Sequence, residues 1–344
     1  MALPDEIGVT VICACRNERA HIGALLASLE HLDRTRLDLD VVIADGASND
    51  GTRDLLLAYA REHAWLRVID NPERIAATGL NRAIQLSRSE YIVRVDAHTA
   101  YEPDYVFRSI QALRAHSAAN AGGPQRSRAT RYWQRAIGAG FHSEFAAGGA
   151  RFRDDHYCGN VDTVPYGCWR RDFLLSLGLF DETLVRNQDD ELNMRIRAVG
   201  GTIWQDPGII SWYSPRTSIA ALFRQYFQFG FWRVAVMRKH PGSASLRQFV
   251  PGAAALVVCL LALLRFDRTL VALFLAYALL SFQASVRAAR REGWDLLPAL
   301  PLTFATYQAA YAAGFLAGLL YWFSPRGRNR QNPQRVRGAR AVDS

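Results

Sequence analysis

Apolar and polar residues follow two different periods between residues 7 and 100. Short apolar runs such as IGVTVICA and LDVVIAD predict buried strands, whereas HIGALLASLEHL, with apolar positions three and four apart, predicts a helix. The alternation of helix and strand continues through TRDLLLAYAREH, LRVID, GLNRAIQLS and YIVRVDAH. This order predicts an α/β fold, in which helices flank both faces of a mostly parallel sheet.

The middle of the chain has a less regular pattern. Residues 122–167 contain GGPQRSRATRYW and AAGGARFRDD, which predict loops around one helix. A helix is predicted near residues 170–177, followed by an amphipathic helix in QDDELNMRIRAVG. The segment TIWQDPGIISWYS then predicts two short strands.

The last third of the chain differs because its apolar runs carry almost no charge. Residues 216–248, rich in aromatic residues and arginine, predict an amphipathic helix at a membrane interface. Residues 249–323 predict about three transmembrane segments, of which the first is the shortest, namely 249–264, 269–286 and 296–323. A basic tail forms residues 324–344.

Charge and cysteine content narrow the class of protein. The net charge is +9, but the basic residues cluster beside the apolar segments and in the tail, which favours anionic lipids over nucleic acid as the partner. The five cysteines fit neither a disulfide framework nor a CxxC metal pair. We take residues 1–215 as the first domain. It lacks a basic leader, so we expect it to remain in the cytoplasm.

Polar residues follow the predicted strands at the edge where parallel sheets bind ligands. Asp45 lies in IADGASNDGT, where a carboxylate can accept hydrogen bonds from a base or a ribose. A turn that caps the next helix explains the same residues, since Ser48, Asn49 and Asp50 are ordinary capping types. The fragment alone leaves both interpretations open.

A second pair of polar residues, Asp96 and His98, ends the strand VRVDAHT. Alternate residues of a strand point the same way, so this carboxylate and imidazole could face one divalent ion that binds a diphosphate. The alternative is that Asp96 caps the following segment while His98 lies on the surface. This fragment alone does not distinguish a metal site from a capping role.

The segment NQDDELNMR places three acids at the start of a helix. The helix dipole is sufficient to explain Asp190 and Glu191. The same run offers a carboxylate that could act as a general base, and direct displacement requires one base where glycoside hydrolases use two carboxylates.

A fourth motif, FRQYFQFGFWR, lies on the predicted interfacial helix. Its arginines suit contact with phosphate oxygens, and its aromatic residues could stack on a sugar. Simple anchoring of the helix to lipid explains the same composition. Its candidate residues are Arg224, Gln225, Trp232 and Arg233.

In this order the motifs resemble those of family 2 glycosyltransferases with the GT-A fold, over about residues 7–240. VICACRNE is similar to the opening strand and nucleotide loop, DGASNDGT to the DGSxDGT loop, and DAH to the DxD metal motif. QDDEL is similar to EDxDL, and RQYFQFGFWR to the motif of the interfacial helix. The phrases GGPQ, VDTVPYG and RNQDDELNMR most resemble bacterial succinoglycan-type membrane glucosyltransferases.

The resemblance implies a role for each motif. Asp189 would be the catalytic base, although Gln188 replaces the first acid of the family's motif. Asp96 and His98 would hold Mn²⁺ or Mg²⁺, with manganese favoured because an imidazole replaces a carboxylate. The motif on the interfacial helix would contact the diphosphate. The nucleotide-sugar pocket would contain Ala14, Arg16, Glu18, Asp45 and Asp96.

The resemblance also implies an activity. We expect an inverting transfer of a sugar, glucose first, from a UDP-sugar to a polyprenyl-diphosphate-linked acceptor during exopolysaccharide synthesis. The enzyme would be a multi-pass protein of the bacterial inner membrane, in contact with lipids and polysaccharide assembly partners. Two alternatives are transfer directly to polyprenyl phosphate and a non-catalytic, nucleotide-binding membrane subunit.

Overall fold

The computed structural model describes residues 6–241 and 246–325. The strands, numbered along the chain, are β1 Ile7–Cys15, β2 Leu37–Asp45, β3 Leu66–Asp70, β4 Tyr91–Arg94, β5 Thr99–Tyr101, β6 Asn120–Gly122, β7 Arg126–Ser127, β8 Gly159–Asn160, β9 Cys168–Arg170, β10 Ile203–Gln205 and β11 Ser211–Tyr213. The helices are α1 Ile22–Glu30, α2 Thr52–Glu62, α3 Ala76–Leu86, α4 Tyr105–Ala115, α5 Tyr132–Phe141, α6 Glu144–Ala147, α7 Arg171–Ser176, α8 Gln188–Ala198, α9 Ile219–Lys239, α10 Leu246–Leu263, α11 Asp267–Glu292 and α12 Leu300–Trp322.

The chain folds into two compact units. The first contains Met1–Ser127 and Arg151–Ser214, and the second contains Arg128–Ala150 and Pro215–Ser344. The division near residue 215 coincides with the end of the expected catalytic domain. The segment from 128 to 150, which the sequence analysis included in that domain, belongs instead to the second unit.

The first unit is built on an eight-stranded sheet with the order β3-β2-β1-β4-β9-β6-β10-β8. The strands β3, β2, β1 and β4 are parallel to one another. The strand β9 is antiparallel to both of its neighbours, and β8 is antiparallel to β10. The predicted α/β fold with a mostly parallel sheet is therefore confirmed.

Alternation of side chains along the strands produces a core on each face of this sheet. Val11 of β1 contributes to one apolar cluster and the adjacent Ile12 to the other, as the pleat of a strand requires. Helices α1, α2 and α4 cover the first cluster, while α3, α7 and α8 cover the second. Helices on both faces leave the ends of the strands as the accessible part of the sheet.

The second unit is helical, and α9 and α12 form its centre. Their backbones approach closely because glycine stands at the contact: a Cβ added to Gly314 would lie 2.0 Å from the carbonyl oxygen of Phe227, and one added to Gly230 would lie 2.2 Å from that of Tyr311. Residues of α5, α6, α9 and α12 share one buried apolar cluster. Glycine at a helix–helix contact lets the two backbones approach closely, which is a common basis of tight helix packing.

Residues 122–167 differ from the prediction of loops around one helix. They contain two helices, α5 and α6, together with a 3₁₀ turn at Arg151–Arg153 and the short strands β7 and β8. The additional elements are only two to four residues long, too short to produce a periodic pattern in the sequence. The longer helix α5, with the sequence YWQRAIGAGF, includes glycines, which are poor helix formers. Gly140 is needed there, since a Cβ would lie 2.7 Å from the ring of Tyr307 on α12.

The three predicted membrane segments correspond to α10, α11 and α12. Among the described residues, α11 is the one helix long and apolar enough to cross a membrane, and 11% of its most apolar stretch is buried in the protein. The apolar part of α10 is shorter. In α12 about half of the residues are buried against other helices. All but the first two residues of the predicted tail, 326–344, lie outside the described residues.

Candidate active site

The first two strands of the sheet end side by side. Cys15 of β1 pairs with Asp45 of β2 in parallel register. Hydrogen bonds then join the two loops that follow, including one of 2.8 Å from the backbone N–H of Glu18 to the hydroxyl of Thr52. This arrangement brings four of the predicted nucleotide-pocket residues to one edge of the sheet, namely Ala14, Arg16, Glu18 and Asp45.

Asp45 is fully buried and only partly satisfied. Its Oδ2 accepts hydrogen bonds from the backbone N–H of Ser48 and from Arg53, both at 3.2 Å. Its Oδ1 is buried and has no hydrogen-bond donor among the described residues. A buried acceptor without a donor is unfavourable, so this oxygen suits an N–H or O–H group of a ligand. Asp50, just before the N-cap Gly51 of α2, accepts a hydrogen bond from the backbone N–H of Thr52 at 3.0 Å.

The strand that precedes the metal motif is shorter than predicted. β4 ends at Arg94, because the backbone N–H of Asp96 donates to the hydroxyl of Tyr101 at 2.7 Å and that of His98 donates to Asp96 Oδ1 at 3.1 Å. The argument from alternation along a strand was therefore wrong for Asp96 and His98. The two side chains meet all the same, with 3.3 Å between His98 Nδ1 and Asp96 Oδ1.

His98 lies at the centre of a small polar cluster. Its Nε2 is 3.0 Å from Glu18 Oε2. The ring of His21, at the start of α1, is centred 4.6 Å from the ring of His98. One ligand atom each of Glu18, His21 and His98 lies within 4.8 Å of the other two. Glu18, predicted for the nucleotide pocket, therefore belongs to the same cluster as the metal motif.

The two carboxylates around His98 favour a positive charge at its position. Burial alone would lower the pKa of His98, but hydrogen bonds and charges from Asp96 and Glu18 raise it to about 9. Burial would likewise raise the pKa of Asp96, but the hydrogen bond and charge of His98, with the charge of Arg94, lower it to about 2. Without a metal, the imidazole is cationic near neutral pH.

The same donors fit a divalent cation. A glutamate oxygen and two imidazole nitrogens suit Mn²⁺ or a later transition metal better than Mg²⁺, which prefers oxygen ligands alone. His98 directs Nδ1 at Asp96 and Nε2 at Glu18, so an ion bound by Nε2 and the Glu18 carboxylate would take the place of the direct contact between them. A carboxylate that orients a ligating histidine in this way is a common support of metal sites. The role of Asp96 as a direct ligand stays a prediction.

The predicted base, Asp189, lies in the first turn of α8. Asn187, in the left-handed conformation with φ 61°, precedes this helix. Asp189 Oδ1 accepts a short hydrogen bond from Arg94. The Arg94 side chain is 9% exposed and that of Asp189 is 35% exposed, so the pair runs from the interior to the surface. Strand β4 therefore carries the partner of Asp189 two residues before Asp96.

The remaining acids of this helix include one with a structural role. Glu191 is buried and forms hydrogen bonds of 2.8 Å and 2.7 Å with Arg195. Arg195 in turn donates to the carbonyl oxygens of Leu177 and Leu179. Glu191 thus fastens α8 to the segment after α7, a structural role other than the interaction with the helix dipole that the sequence suggested.

The residues of the fourth motif lie on α9, in the second unit. Trp232 is 8% exposed, and its ring centre is 5.1 Å from that of Trp322, so it packs in the interior of this unit. Arg224 is exposed. A role for Arg224, Gln225, Trp232 and Arg233 at a diphosphate stays a prediction.

Known proteins resemble this chain in both sequence and structure. Residues 10–172 match the family described as glycosyl transferase family 2. The chain is 30% identical over 323 residues to the succinoglycan biosynthesis protein ExoA of Rhizobium meliloti (strain 1021), which covers 92% of this chain and 97% of that relative. The chain belongs to glycosyl transferase family 2. Five ordered motifs had pointed to this family, and the expectation is confirmed.

Solved structures share the fold of this family 2 glycosyltransferase. A mannosyltransferase, PcManGT from Pyrobaculum calidifontis in complex with GDP-Man and Mn²⁺, matches with a TM-score of 0.60 at 20% identity, covering 92% of this chain and 89% of that one. Residues 1–349 of S. aureus TarS in complex with UDP-GlcNAc match with a TM-score of 0.51 at 14% identity, covering 91% and 92%. The α/β unit thus has the GT-A fold.

Two residues of the candidate site of this glycosyltransferase do not belong to any of the sequence motifs. His21 follows Glu18 by three positions, and only the fold brings its ring to His98. Arg94 is a single charged residue inside the apolar strand YIVRV. A charge at a position that the strand pattern buries was the available signal, since such a charge requires a partner.

Proposed function

We propose that this family 2 glycosyltransferase transfers a sugar from UDP-glucose to a hydroxyl of a polyprenyl-diphosphate-linked saccharide, with inversion, during assembly of a surface polysaccharide. The name of ExoA, a succinoglycan biosynthesis protein, supports this class of product. Nucleotide-sugar complexes of two proteins of the same fold support a nucleotide-sugar donor.

One observation carries the proposal: the short strand β4 positions both the candidate base and the candidate site for the diphosphate. Arg94, the last residue of this strand, holds Asp189, while Asp96 and His98 follow within four residues of it. A candidate base and a candidate site for a diphosphate therefore depend on the same short segment. A protein that only bound nucleotides would have no use for the base.

The mechanism is a single in-line displacement. Asp189 accepts the proton of the acceptor hydroxyl, whose oxygen forms a bond to the anomeric carbon as the bond from that carbon to the diphosphate breaks. Arg94 engages Oδ1 of Asp189 and leaves Oδ2 for the acceptor. One displacement inverts the anomeric centre, so an α-linked donor gives a β-glycoside.

The donor would be held by the residues at the ends of β1 and β2 and by the cluster around His98. The buried, unpaired Oδ1 of Asp45 suits a donor group of the uracil or ribose. Glu18, His21 and His98 would hold a divalent cation, with Asp96 orienting the imidazole. When bound, the cation neutralises the charge that develops on the departing diphosphate.

The acceptor class agrees with a membrane location. Helix α11 presents apolar side chains to its surroundings along most of its length. A lipid-linked acceptor is anchored in the same bilayer, so both reactants remain near the surface of the membrane. We place the enzyme at the bacterial inner membrane, on the side where UDP-sugars are available.

The test is a donor and acceptor screen with the purified full-length protein in lipid. UDP release is measured with UDP-glucose first, in the presence of Mn²⁺ and a polyprenyl-diphosphate-linked sugar. Asp189→Asn should reduce transfer by a factor of at least about 10³ while UDP binding persists. Asp190→Asn, in the same helical turn, is the matched control and should keep transfer within a few-fold.

Three results would contradict parts of the proposal. Wild-type turnover in Asp189→Asn would exclude it as the base. Transfer to polyprenyl phosphate alone would replace the acceptor while leaving the site intact. UDP binding without turnover on any acceptor would favour the non-catalytic alternative.

A further inference from the structure

Helices α10 and α11 form the most apolar exposed surface of the second unit. They contact each other and are joined by a turn at 264–266, in which Arg265 has a φ of 57°. Large apolar side chains of both helices are more than half exposed, among them Val257, Leu260, Leu263, Phe274, Leu275 and Leu279. An uninterrupted apolar surface of this kind requires a covering partner.

The lengths of the two helices can be compared with the thickness of a bilayer. The apolar part of α10, Gln248–Leu263, is about 24 Å long and α11, with 26 residues, is about 39 Å long at 1.5 Å per residue. The hydrocarbon core of a bilayer is about 30 Å thick. The shorter helix therefore requires local thinning of the bilayer, and the longer one extends into the headgroups at its ends.

The charges are placed at the ends of this hairpin. Residues 249–264 and 269–286 contain no charged side chain. Its open end is strongly basic, with Arg238 and Lys239 before α10 and a cluster of charges at the end of α11: Arg287, Arg290, Arg291 and Glu292. The turn carries Arg265, Asp267 and Arg268, a net charge of only +1. Basic residues favour the cytoplasmic side of a membrane, so the open end fits that side.

Helix α12 is also apolar, but α9 lies along most of its length. The rings of Tyr226 and Tyr307 are 4.3 Å apart between centres near one end, and the indole N–H of Trp322 donates to the carbonyl oxygen of Phe231 at 3.1 Å near the other. If α12 crossed the bilayer, α9 would have to accompany it into the hydrocarbon core.

The sequence of α9 makes that crossing unfavourable. It contains Arg224, Gln225, Gln228 and Arg233 within its middle turns. Each arginine near the centre of a membrane costs about 2.5–3.5 kcal/mol by insertion scales. Both Arg224 and Gln228 are exposed on the helix surface, where lipid would surround them. The pair of helices therefore fits the interface and not the hydrocarbon core.

We propose that the chain crosses the bilayer twice, as the hairpin of α10 and α11, and that α12 does not cross. The inference rests on the membrane location in the proposed function and specifies which helices produce it. Because the hairpin returns to its starting side, α9, α12 and the end of the described chain share the cytoplasmic side with the catalytic unit.

Cysteine labelling tests the number of crossings. The exposed thiols are first removed by Cys158→Ser and Cys259→Ser, and Phe266→Cys in the turn or Ser324→Cys after α12 is then introduced. A membrane-impermeant maleimide is applied to right-side-out and inverted vesicles. The thiol introduced by Phe266→Cys should react only in right-side-out vesicles, and that introduced by Ser324→Cys only in inverted ones. The background variant is the control for residual labelling.

Each other outcome overturns the proposal. Labelling of both thiols in right-side-out vesicles would indicate three crossings. No labelling of the turn from outside, with the protein extracted by carbonate, would indicate a peripheral protein. Carbonate extraction as a stable dimer would indicate that a second copy covers the hairpin. Sugar transfer is measured in the same vesicles, so a wrong topology with intact transfer is distinguishable from failure of the proposed function.

Discussion

The ion pair between Arg94 and Asp189 predicts an asymmetric response to loss of either partner. Asp189→Ala leaves a guanidinium that is 9% exposed without the carboxylate that accepts its hydrogen bond. Arg94→Met removes the buried charge itself and leaves a carboxylate that is 35% exposed and can be hydrated. We therefore expect Asp189→Ala to lower the free energy of unfolding more than Arg94→Met does.

The magnitudes follow from the exposure of each partner. Removing one partner of a fully buried ion pair costs about 3–5 kcal/mol, and partial access of water at the site of Asp189 reduces this to about 2–3 kcal/mol. Replacing the buried partner by an apolar residue of similar length should cost at most about 1 kcal/mol. At about 2–4 °C per kcal/mol, the melting temperature should fall by about 4–12 °C in Asp189→Ala and by less than about 4 °C in Arg94→Met.

Thermal unfolding of the full-length protein in detergent measures this difference, and UDP release measures activity in the same samples. The double variant Arg94→Met with Asp189→Ala should be more stable than Asp189→Ala alone, because no unpaired buried charge remains. Arg94→Lys should keep part of the activity that Arg94→Met loses. A double variant that is less stable than Asp189→Ala alone would refute the reasoning.

Three further predictions concern the nucleotide loop, the metal cluster and the helix contact. Asp45→Asn should raise KM for the donor about ten-fold, or about 1.4 kcal/mol, with little change in kcat, as measured by initial rates. His21→Ala should weaken Mn²⁺ binding by at least about ten-fold in an electron paramagnetic resonance titration. Gly314→Val should lower the melting temperature, since its side chain would meet the backbone of α9 at a cost of about 1–3 kcal/mol.

Each of these predictions has a matched control. Asp70→Asn removes the other carboxylate partner of Arg53 but is 71% exposed, and it should leave KM unchanged. His31→Ala changes a histidine at the opposite end of α1 and should not affect Mn²⁺. Ala309→Val lies on the exposed face of α12 and should be tolerated. If a control variant had an effect as large as that of the tested variant, the role proposed for the tested residue would be wrong.

The sequence was sufficient to predict the parallel strands on one side of the sheet. The strands from β1 to β3 are apolar runs bounded by polar loops, so their period and limits are local properties. The position of Asp45 followed from a general rule, because parallel strands that pair in register end at the same edge. These features required no knowledge of distant contacts.

Other features depend on contacts that the local sequence does not contain. The turn after Arg94 exists because Asp96 accepts a hydrogen bond from the backbone of His98, which the alternation of a strand cannot reveal. His21 reaches the site only through the folding of α1. Composition predicts that α12 crosses a membrane, but composition alone does not distinguish an apolar helix covered by protein from one covered by lipid, and about half of the residues of α12 are buried against other helices.

The position of residues 128–150 in the second unit has a consequence for synthesis of the chain. Helix α5 buries its apolar face against α12, and the hydroxyl of Tyr307 donates to the carbonyl oxygen of Ile137 at a separation of 170 residues. At about 5–20 residues per second, the ribosome needs roughly 8–34 s to cover that separation. During this interval the face of α5 that packs against α12 lacks that partner, so a chaperone or the membrane surface is the expected temporary cover.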